Sequence, residues 1–460
     1  LNRNSGKVDT FKVNSELLDQ FREAADRLDS ALLSELTMNL HPADIAEVLS
    51  HLDKDAVAFS LDRLDDEFAA DVLMEVDEDI RRDYLETSTP KEIAVELIEN
   101  LDSDDAADVL NELSAEVREE VISEIEDEEQ VMDIVDLLKY QEGTAGALMG
   151  KEMVVVNENW SVMHSVREMR RQAEEIDHIY TIYVIDDDEK LLGRLPLKKL
   201  LTTNLNARMA DIYIPETRYV KTSTTQEDVT SAMEKYDLVA LPVVDLAGRL
   251  VGRITIDDVV DVMREEAEKD YQLASGLSED VEQTDSIWQQ MRARLPWLVI
   301  GVAGSMLSAI LIGGYEEAIK TLPALAFFIP LITATGGNVG VQSSAIIVQG
   351  LANKSLSTTG ILPKLGKELR QSSLNGLLIS VLAMGLSILA FNDVNLGITI
   401  SLALFIVILF SSLTGTFIPL LLEKMKIDPA LATGPFITTM NDITGLFIYF
   451  IVGQIVYSTL

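Results

Sequence analysis

The chain contains no cysteine in its 460 residues, which excludes disulfide staples and thiolate metal centres. Its four histidines form no zinc-type pair, and no Ser-His-Asp arrangement stands out. Positive charge is scarce: 37 Lys and Arg face 76 Asp and Glu, for a net charge of −39. Nine of those basic and seven of those acidic residues lie from Trp288 onward, so residues 1–287 carry about −41 and the remainder about +2. So acidic a surface repels nucleic acid and attracts cations, although acidity also serves solubility alone. The first 30 residues are polar, without the apolar core of a signal peptide, so export of the N-terminal half is not expected. Gly360 to Lys367 is only superficially like a phosphate loop, because its spacing is one residue too long and Glu368 replaces the hydroxyl residue. An enzyme is not expected.

Five long apolar stretches fill the last third, at roughly 295–313, 321–350, 373–391, 396–422 and 429–457. Each is long enough to cross a ~30 Å hydrocarbon core as a helix. With the N-terminal half inside, the inner flanks hold Arg292, Arg294, Lys354, Lys364, Lys367, Arg370, Lys424 and Lys426, and the outer loops only Lys320. That asymmetry predicts a cytoplasmic N-terminal half and, with five spans, a C-terminus outside. Asp442 is the only charged side chain within the stretches. A carboxylate at that depth marks a cation path, or else a protonated acid bonded to a neighbouring helix.

The acidic half divides in two. Residues 30–137 read as short helices, with Asp44-Ile-Ala46, Phe68-Ala-Ala70 and Glu92-Ile-Ala94 recurring every 24 residues, each followed by a leucine, and Asp105-Ala-Ala107 arriving 13 later. This period predicts a helix-pair superhelix with its alanines inside and Asp104, Asp105 and Asp108 on a solvated face. Residues 148–268 are richer in β-branched runs. Val184-Ile-Asp186 with Gly193-Arg194 recurs 59 residues later as Val243-Val-Asp245 with Gly252-Arg253.

From Asp257 to about Gln290 the pattern predicts one long helix running to the first span. Asp257, Asp261 and Glu265 lie one turn apart on it, where like charges need solvation or a bridging cation. Within the membrane stretches, Gly336-Gly-Asn-Val-Gly-Val-Gln342 predicts tilt or a break at the glycines. Asn338 and Gln342, together with Thr438, Asn441 and Asp442, offer oxygens suited to a hydrated hard cation. Small residues used for helix packing, and threonines bonding their own helix, explain either segment alone equally well.

The repeat containing Leu241-Pro-Val-Val-Asp245 and Gly252-Arg-Ile-Thr-Ile-Asp-Asp258 resembles a tandem pair of cystathionine β-synthase type (CBS) modules. In such modules a pattern like Gly252, Thr255 and Asp258 contacts the ribose of an adenine nucleotide, which makes ATP a candidate ligand. The first module has Pro196 and Lys199 instead, and a nucleotide-free dimerisation module is the alternative. Over nearly its full length the chain resembles the MgtE family of magnesium channels, most specifically at Asp104-Asp-Ala-Ala-Asp108, Thr144-Ala-Gly-Ala-Leu-Met149, Gly336 to Gln342 and Pro435 to Asp442. The resemblance implies a multidomain polytopic membrane protein of the bacterial cytoplasmic membrane. Its parts would be an α-helical superhelix N domain (1–140), α/β tandem CBS modules (141–263, split at about 148–206 and 207–263), a connecting plug helix (264–290) and five transmembrane helices (291–460). It also implies a homodimer in the lipid bilayer, with Mg²⁺ passing Asp442, Asn441, Thr438, Asn338, Gly336, Gly337 and Gln342. Regulatory Mg²⁺ would bind Asp104, Asp108, Glu227, Asp237, Asp258, Asp261, Glu266 and Asp270. Lys269 departs from the family, which often carries an acid there. The competing readings are a membrane-anchored nucleotide or metal sensor without transport, a transporter of broader selectivity that includes Co²⁺ and Mn²⁺, and an intramembrane hydrolase. The last would need a second carboxylate that the other apolar stretches do not supply.

Overall fold

The acids that punctuate the first third stop and start helices. Asp29 accepts from the amides of Ala31 and Leu32, Asp53 from Ala56, and Asp127 from Glu129 and Gln130. Thr89 and Glu92 form a reciprocal capping box. The computed structural model, which describes residues 11–459 apart from 174, 175, 177, 216, 278–280, 282–285, 353–359 and 433, accordingly has a run of short helices from Ser15 to Leu137. The periodic positions are their core. Ala46, Ala70, Ala94 and Ala107 are buried, as are Leu49, Leu73, Leu97 and Leu110. Alanine lets neighbouring helices approach closely while the leucines fill the space between. Arg81 and Glu112 form a largely buried ion pair inside this body, with the Arg81 Nε donating at 2.8 Å.

The 59-residue repeat becomes two three-stranded sheets of equal topology. In the first, β1 (Val154–Asn157) runs parallel to β2 (Ile182–Ile185), which pairs antiparallel with β3 (Leu191–Leu195). In the second, β4 (Val220–Lys221), β5 (Ala240–Val244) and β6 (Leu250–Thr255) repeat that order. Val184 faces Gly193 across one hairpin and Val243 faces Gly252 across the other. The repeated aspartates close the turns: Asp186 Oδ1 accepts from the amides of Asp188 and Lys190, and Asp245 Oδ1 from those of Ala247 and Arg249. The chain entering the first module belongs to the second sheet. Ala145 and Gly146 donate to the carbonyls of Thr224 and Thr222, and Gly150 exchanges amide bonds with Arg253. The expected start of the first module at 148 therefore falls inside a segment paired with the second.

Two compact units result, one up to Arg264 and one from Glu265. The helix Ile256–Ser275 follows β6 and ends well short of Gln290, which corrects the expected single helix. Gly276 takes a φ of +82°, its amide bonds the Leu273 carbonyl and the next amide bonds that of Gln272, a left-handed cap that L side chains rarely adopt. A new helix begins at Ile287 behind a Ser286–Gln289 capping box.

Among the described residues, five helices are long and apolar enough to cross a membrane: Ile287–Gly314, Ala324–Leu351, Ile361–Phe391, Val394–Lys424 and Pro435–Val456. Lys354, counted with the inner flank, lies outside the described residues. Val394–Lys424 is the most buried of the five; the second, third and last spans pack on it, and Ile287–Gly314 packs on the last. The second span breaks at Phe328, between the short helix Ala324–Phe327 and Ile329–Ala352, and not at its glycines. Pro330 falls in the first turn of the longer piece, where its missing N–H costs nothing. Gly336 to Gly340 continue as regular helix and serve for close approach. A Cβ at Gly415 would lie 2.4 Å from the Gly340 carbonyl oxygen, and one at Gly336 would lie 3.0 Å from Val407 Cγ1. At the far end Tyr315 stacks on Phe450 with ring centroids 4.7 Å apart, and the Tyr449 hydroxyl donates to the Leu325 carbonyl at 2.9 Å.

Gly193 provides a direct test of the first sheet. A Cβ there would stand 2.2 Å from the Ile214 carbonyl oxygen, a backbone atom that cannot swing away. Gly193→Ala is expected to cost ~2–3 kcal/mol, read as a lower Tm in thermal unfolding of the full chain in detergent.

Candidate functional site

In the first unit, carboxylates gather where the helix Ser103–Glu112 meets the segment just before β1. Oxygens of Asp102, Asp104 and Glu152 all lie within 4.8 Å of one another. Local bonds hold them there. Glu152 accepts from the Ser103 amide at 2.9 Å and from its hydroxyl at 3.1 Å, while Ser103 Oγ in turn accepts from the Lys151 amide. Gly150 makes the space, since a Cβ there would stand 2.9 Å from Glu152 Oε2 and 3.0 Å from Asp104 Oδ2. Asp258 joins from the first turn of Ile256–Ser275, its Oδ2 accepting from the Thr255 amide and hydroxyl at 2.9 and 2.7 Å.

Burial, and then the charge of Asp258 together with those of Asp105, Glu152 and Asp102, hold the Asp104 carboxyl well above the usual carboxylate range. Asp105 is pushed up to about 7, first by burial and then by Asp258. Burial raises Asp258 too, against the opposing bonds from Thr255. Opposite ligands of a Mg²⁺ ion stand ~4.2 Å apart, and the ion keeps several waters. This oxygen set therefore suits a hydrated hard dication held by one or two carboxylates directly and by the rest through water. Asp104 and Asp105 are thus not on the ordinary solvated face that the helical period suggested.

The other expected regulatory acids do not meet in this cluster. Asp108 is exposed on the same helix. Glu227 sits exposed in the first turn of Gln226–Tyr236, and Asp237 caps the end of that helix with a φ of +50°. Asp261 is exposed and Glu266 half-buried on Ile256–Ser275. Asp270, in the second unit, faces Asp428 and is raised by desolvation and by that charge. Sequence reasoning missed Asp102, Asp105 and Glu152 as a group. Its one available signal was the acid pair following Asp102, because no periodicity links residue 104 to residue 152.

Beside the cluster lies a narrow cleft between the two modules, lined by Glu152, Val154, Tyr180, Tyr183, Ala240 and Arg253. Tyr183 and Arg253 are at least nine-tenths buried, and both the Tyr183 hydroxyl and Arg253 Nε lack a hydrogen-bond partner. Of the proposed ribose contacts, Gly252 has a packing role: a Cβ there would meet Met149 Sδ at 2.7 Å and the Gly150 carbonyl at 2.8 Å. Thr255 and Asp258 are bonded to each other.

In the second unit, Asp442 is half-buried on Pro435–Thr459. A Cβ at Gly337 would stand 3.4 Å from Asp442 Oδ1 and 3.1 Å from Thr438 Cγ2, so the glycine opens room for both side chains. Thr438 donates to its own helix at the Gly434 carbonyl. Asn338 and Gln342 are exposed on the outside of the single chain. Asn441 and Gly336 depart from expectation. Asn441 is fully buried within the chain, its Oδ1 accepting from Thr414 Oγ1 at 3.0 Å and its amide nitrogen lodged against Gly340, while Gly336 packs on Val407 and Ser411. Both are helix-packing positions. A carboxylate outside the apolar stretches also emerges, with Glu368 accepting from the buried Ser343 hydroxyl at 2.7 Å.

An acidic helical body, a tandem α/β pair and, among the described residues, five membrane-length helices with Asp442 in their apolar portion define a multidomain polytopic membrane protein equipped to handle divalent cations. Residues 329–452 match the MgtE divalent cation transporter family, residues 40–143 the MgtE intracellular N domain, and residues 145–205 and 209–265 the CBS domain. The magnesium transporter MgtE of Thermus thermophilus is 36% identical over 328 residues, covering 70% of this chain and 72% of that one. The Bacillus subtilis magnesium transporter MgtE is 33% identical over 314 residues, covering 68% and 70%. Among solved structures, the cytosolic domain of the Mg²⁺ channel MgtE in complex with ATP is 34% identical with a TM-score of 0.50, covering 53% of this chain and 99% of that one. The chain belongs to the MgtE family of magnesium transporters.

The raised carboxyls fix the sign of a pH effect. Because Asp104, Asp105 and Asp258 titrate higher folded than the ~3.9 of an unfolded aspartate, the ion-free fold gains stability as pH falls from about 7 toward 4 and loses it as pH rises. A dication supplies the positive charge that these buried, mutually repelling carboxylates lack. Millimolar Mg²⁺ should therefore raise the Tm of the full chain more at pH 7.5 than at pH 5.5, and Asp104→Asn should shrink that difference.

Proposed function

We propose that this protein carries Mg²⁺ across the bacterial cytoplasmic membrane along a path that passes Asp442, and that cytosolic Mg²⁺ bound by the acidic half closes that path. The observation that carries the reading is the placement of Asp442, the single charge of the apolar stretches, half-buried beside Gly337 and Thr438. A carboxylate in that setting attracts a cation and rejects anions, while the hydroxyl and carbonyl oxygens nearby hold the waters that Mg²⁺ sheds reluctantly. Asn338 and Gln342 face outward on one chain, which favours a homodimer whose second copy supplies the opposite wall. The inner basic flank favours a cytoplasmic N-terminal half and an external C-terminus.

Feedback follows from differential binding. Without Mg²⁺, the half carrying about −41 repels itself. With Mg²⁺, the cluster at Asp104, Glu152 and Asp258 is bridged, and Asp108, Glu227, Asp237, Asp261, Glu266 and Asp270 supply weaker sites around it. Moving such an equilibrium from 1:99 to 99:1 takes ~5.5 kcal/mol, a load that several weak sites can share. The cleft between the modules, with its unpartnered Tyr183 hydroxyl and Arg253 Nε, is the place offered to ATP, the ligand of the related cytosolic domain. Fixed anchors, as in a sensor without transport, would not need a carboxylate at membrane depth.

Proteoliposomes loaded with a Mg²⁺-sensitive dye test the path. Asp442→Ala should abolish Mg²⁺ entry, and Asp442→Asn should reduce it at least tenfold, both in protein that still elutes as a folded dimer. Flux unchanged in both variants would move the selective site to the Gly336–Gln342 segment, and absence of flux from the unmodified protein would favour the sensor.

A further inference from the structure

Arg253 is a buried cation at the edge of the Asp102, Asp104 and Glu152 cluster. It lies on β6, 8% exposed, one residue after the glycine that receives Met149. Its guanidinium is held from one side by the His178 carbonyl, accepting from Nη1 at 3.3 Å, and by the Tyr180 ring, whose centroid is 5.6 Å away. On the other side Nη2 stands 3.8 Å from Asp102 Oδ2, within ion-pair range but beyond a hydrogen bond. Its backbone is pinned as well, through the paired amide bonds with Gly150. The charge is therefore fixed by groups that have no part in the cluster, at a distance where it attracts the same carboxylates that a metal would use.

We propose that Arg253 is an affinity-setting residue, a tethered counter-cation that weakens divalent binding at Asp102, Asp104 and Glu152 and so raises the Mg²⁺ concentration at which the acidic half responds. The inference rests on the regulatory reading of that cluster. Two physical terms act together. The guanidinium partly satisfies Asp102 in the ion-free protein, so an arriving ion gains less. It also repels the bound ion: a divalent charge ~6 Å from a fixed monovalent one loses about tenfold in affinity even at the dielectric of water.

The test is the Mg²⁺ concentration that half-protects the full-length protein, in detergent, from chymotrypsin. Arg253→Gln is expected to lower that midpoint roughly tenfold, Arg253→Met, which keeps the apolar stem, to do the same, and Arg253→Lys to leave it within about threefold of the unmodified value. A residue that merely supported the fold would loosen it and raise the midpoint, so the direction of the shift separates the two roles. Asp104→Asn controls for the underlying reading. If Asp104→Asn leaves the midpoint unmoved, the regulatory assignment of the cluster falls and this inference with it. If Asp104→Asn raises the midpoint while both neutral Arg253 variants leave it unchanged or higher, the assignment stands and the role of Arg253 is overturned.

Discussion

Repulsion between carboxylates held close together governs the first unit. Asp102, Asp104 and Glu152 are brought within 4.8 Å of one another, and Asp258 adds its charge from a different helix. Arg253, 3.8 Å from Asp102, offsets only part of this. Ser103 fixes Glu152 with two hydrogen bonds, Thr255 fixes Asp258 with two more, and the missing side chain of Gly150 leaves the oxygens room to stay together. The fold thus spends stability on keeping a site ready for a hard dication. Burial first, and the neighbouring charges after it, favour a proton on the same acids, which is why they titrate high.

The second unit solves the opposite problem, which is to place one charge in an apolar body. Small residues do most of it. Gly340 against Gly415 and Asn441, and Gly336 against Val407, bring the second and last spans down onto Val394–Lys424, while Gly337 leaves the pocket in which Asp442 stands. Asn441 and Asp442 are sequence neighbours with different tasks. One ties helices together through Thr414, and the other keeps its carboxylate half-buried beside an open glycine.

Much of this was legible in the sequence because it is periodic. The 24-residue spacing put Ala46, Ala70 and Ala94 in the core, the 59-residue spacing reproduced one hairpin register in the other, and apolar run length located five membrane helices. What was not legible is what depends on a single contact or on distance along the chain. The glycines of the second span read as a break because glycine weakens a helix in isolation, yet here each buys a close approach. The helix beyond Asp257 read as continuous because its composition favours helix, and only the left-handed cap at Gly276 ended it. Glu152 carried no local mark, since its partners at Asp102 and Asp104 lie about 50 residues away in sequence. Asn441 shares every chemical feature of a pore amide, and only packing distinguishes its role.

The segment Thr144–Gly150 precedes the first module but bonds into the sheet of the second, with Met149 lying over Gly252. The chain therefore passes through its later half before completing its earlier one. Neither half owns all of its own sheet edge, so separating them strands amides at Ala145, Gly146 and Gly150 without partners. The two halves therefore share backbone bonds, and a disturbance of the second hairpin reaches through Arg253 to the turn where Gly150 makes room for the carboxylates.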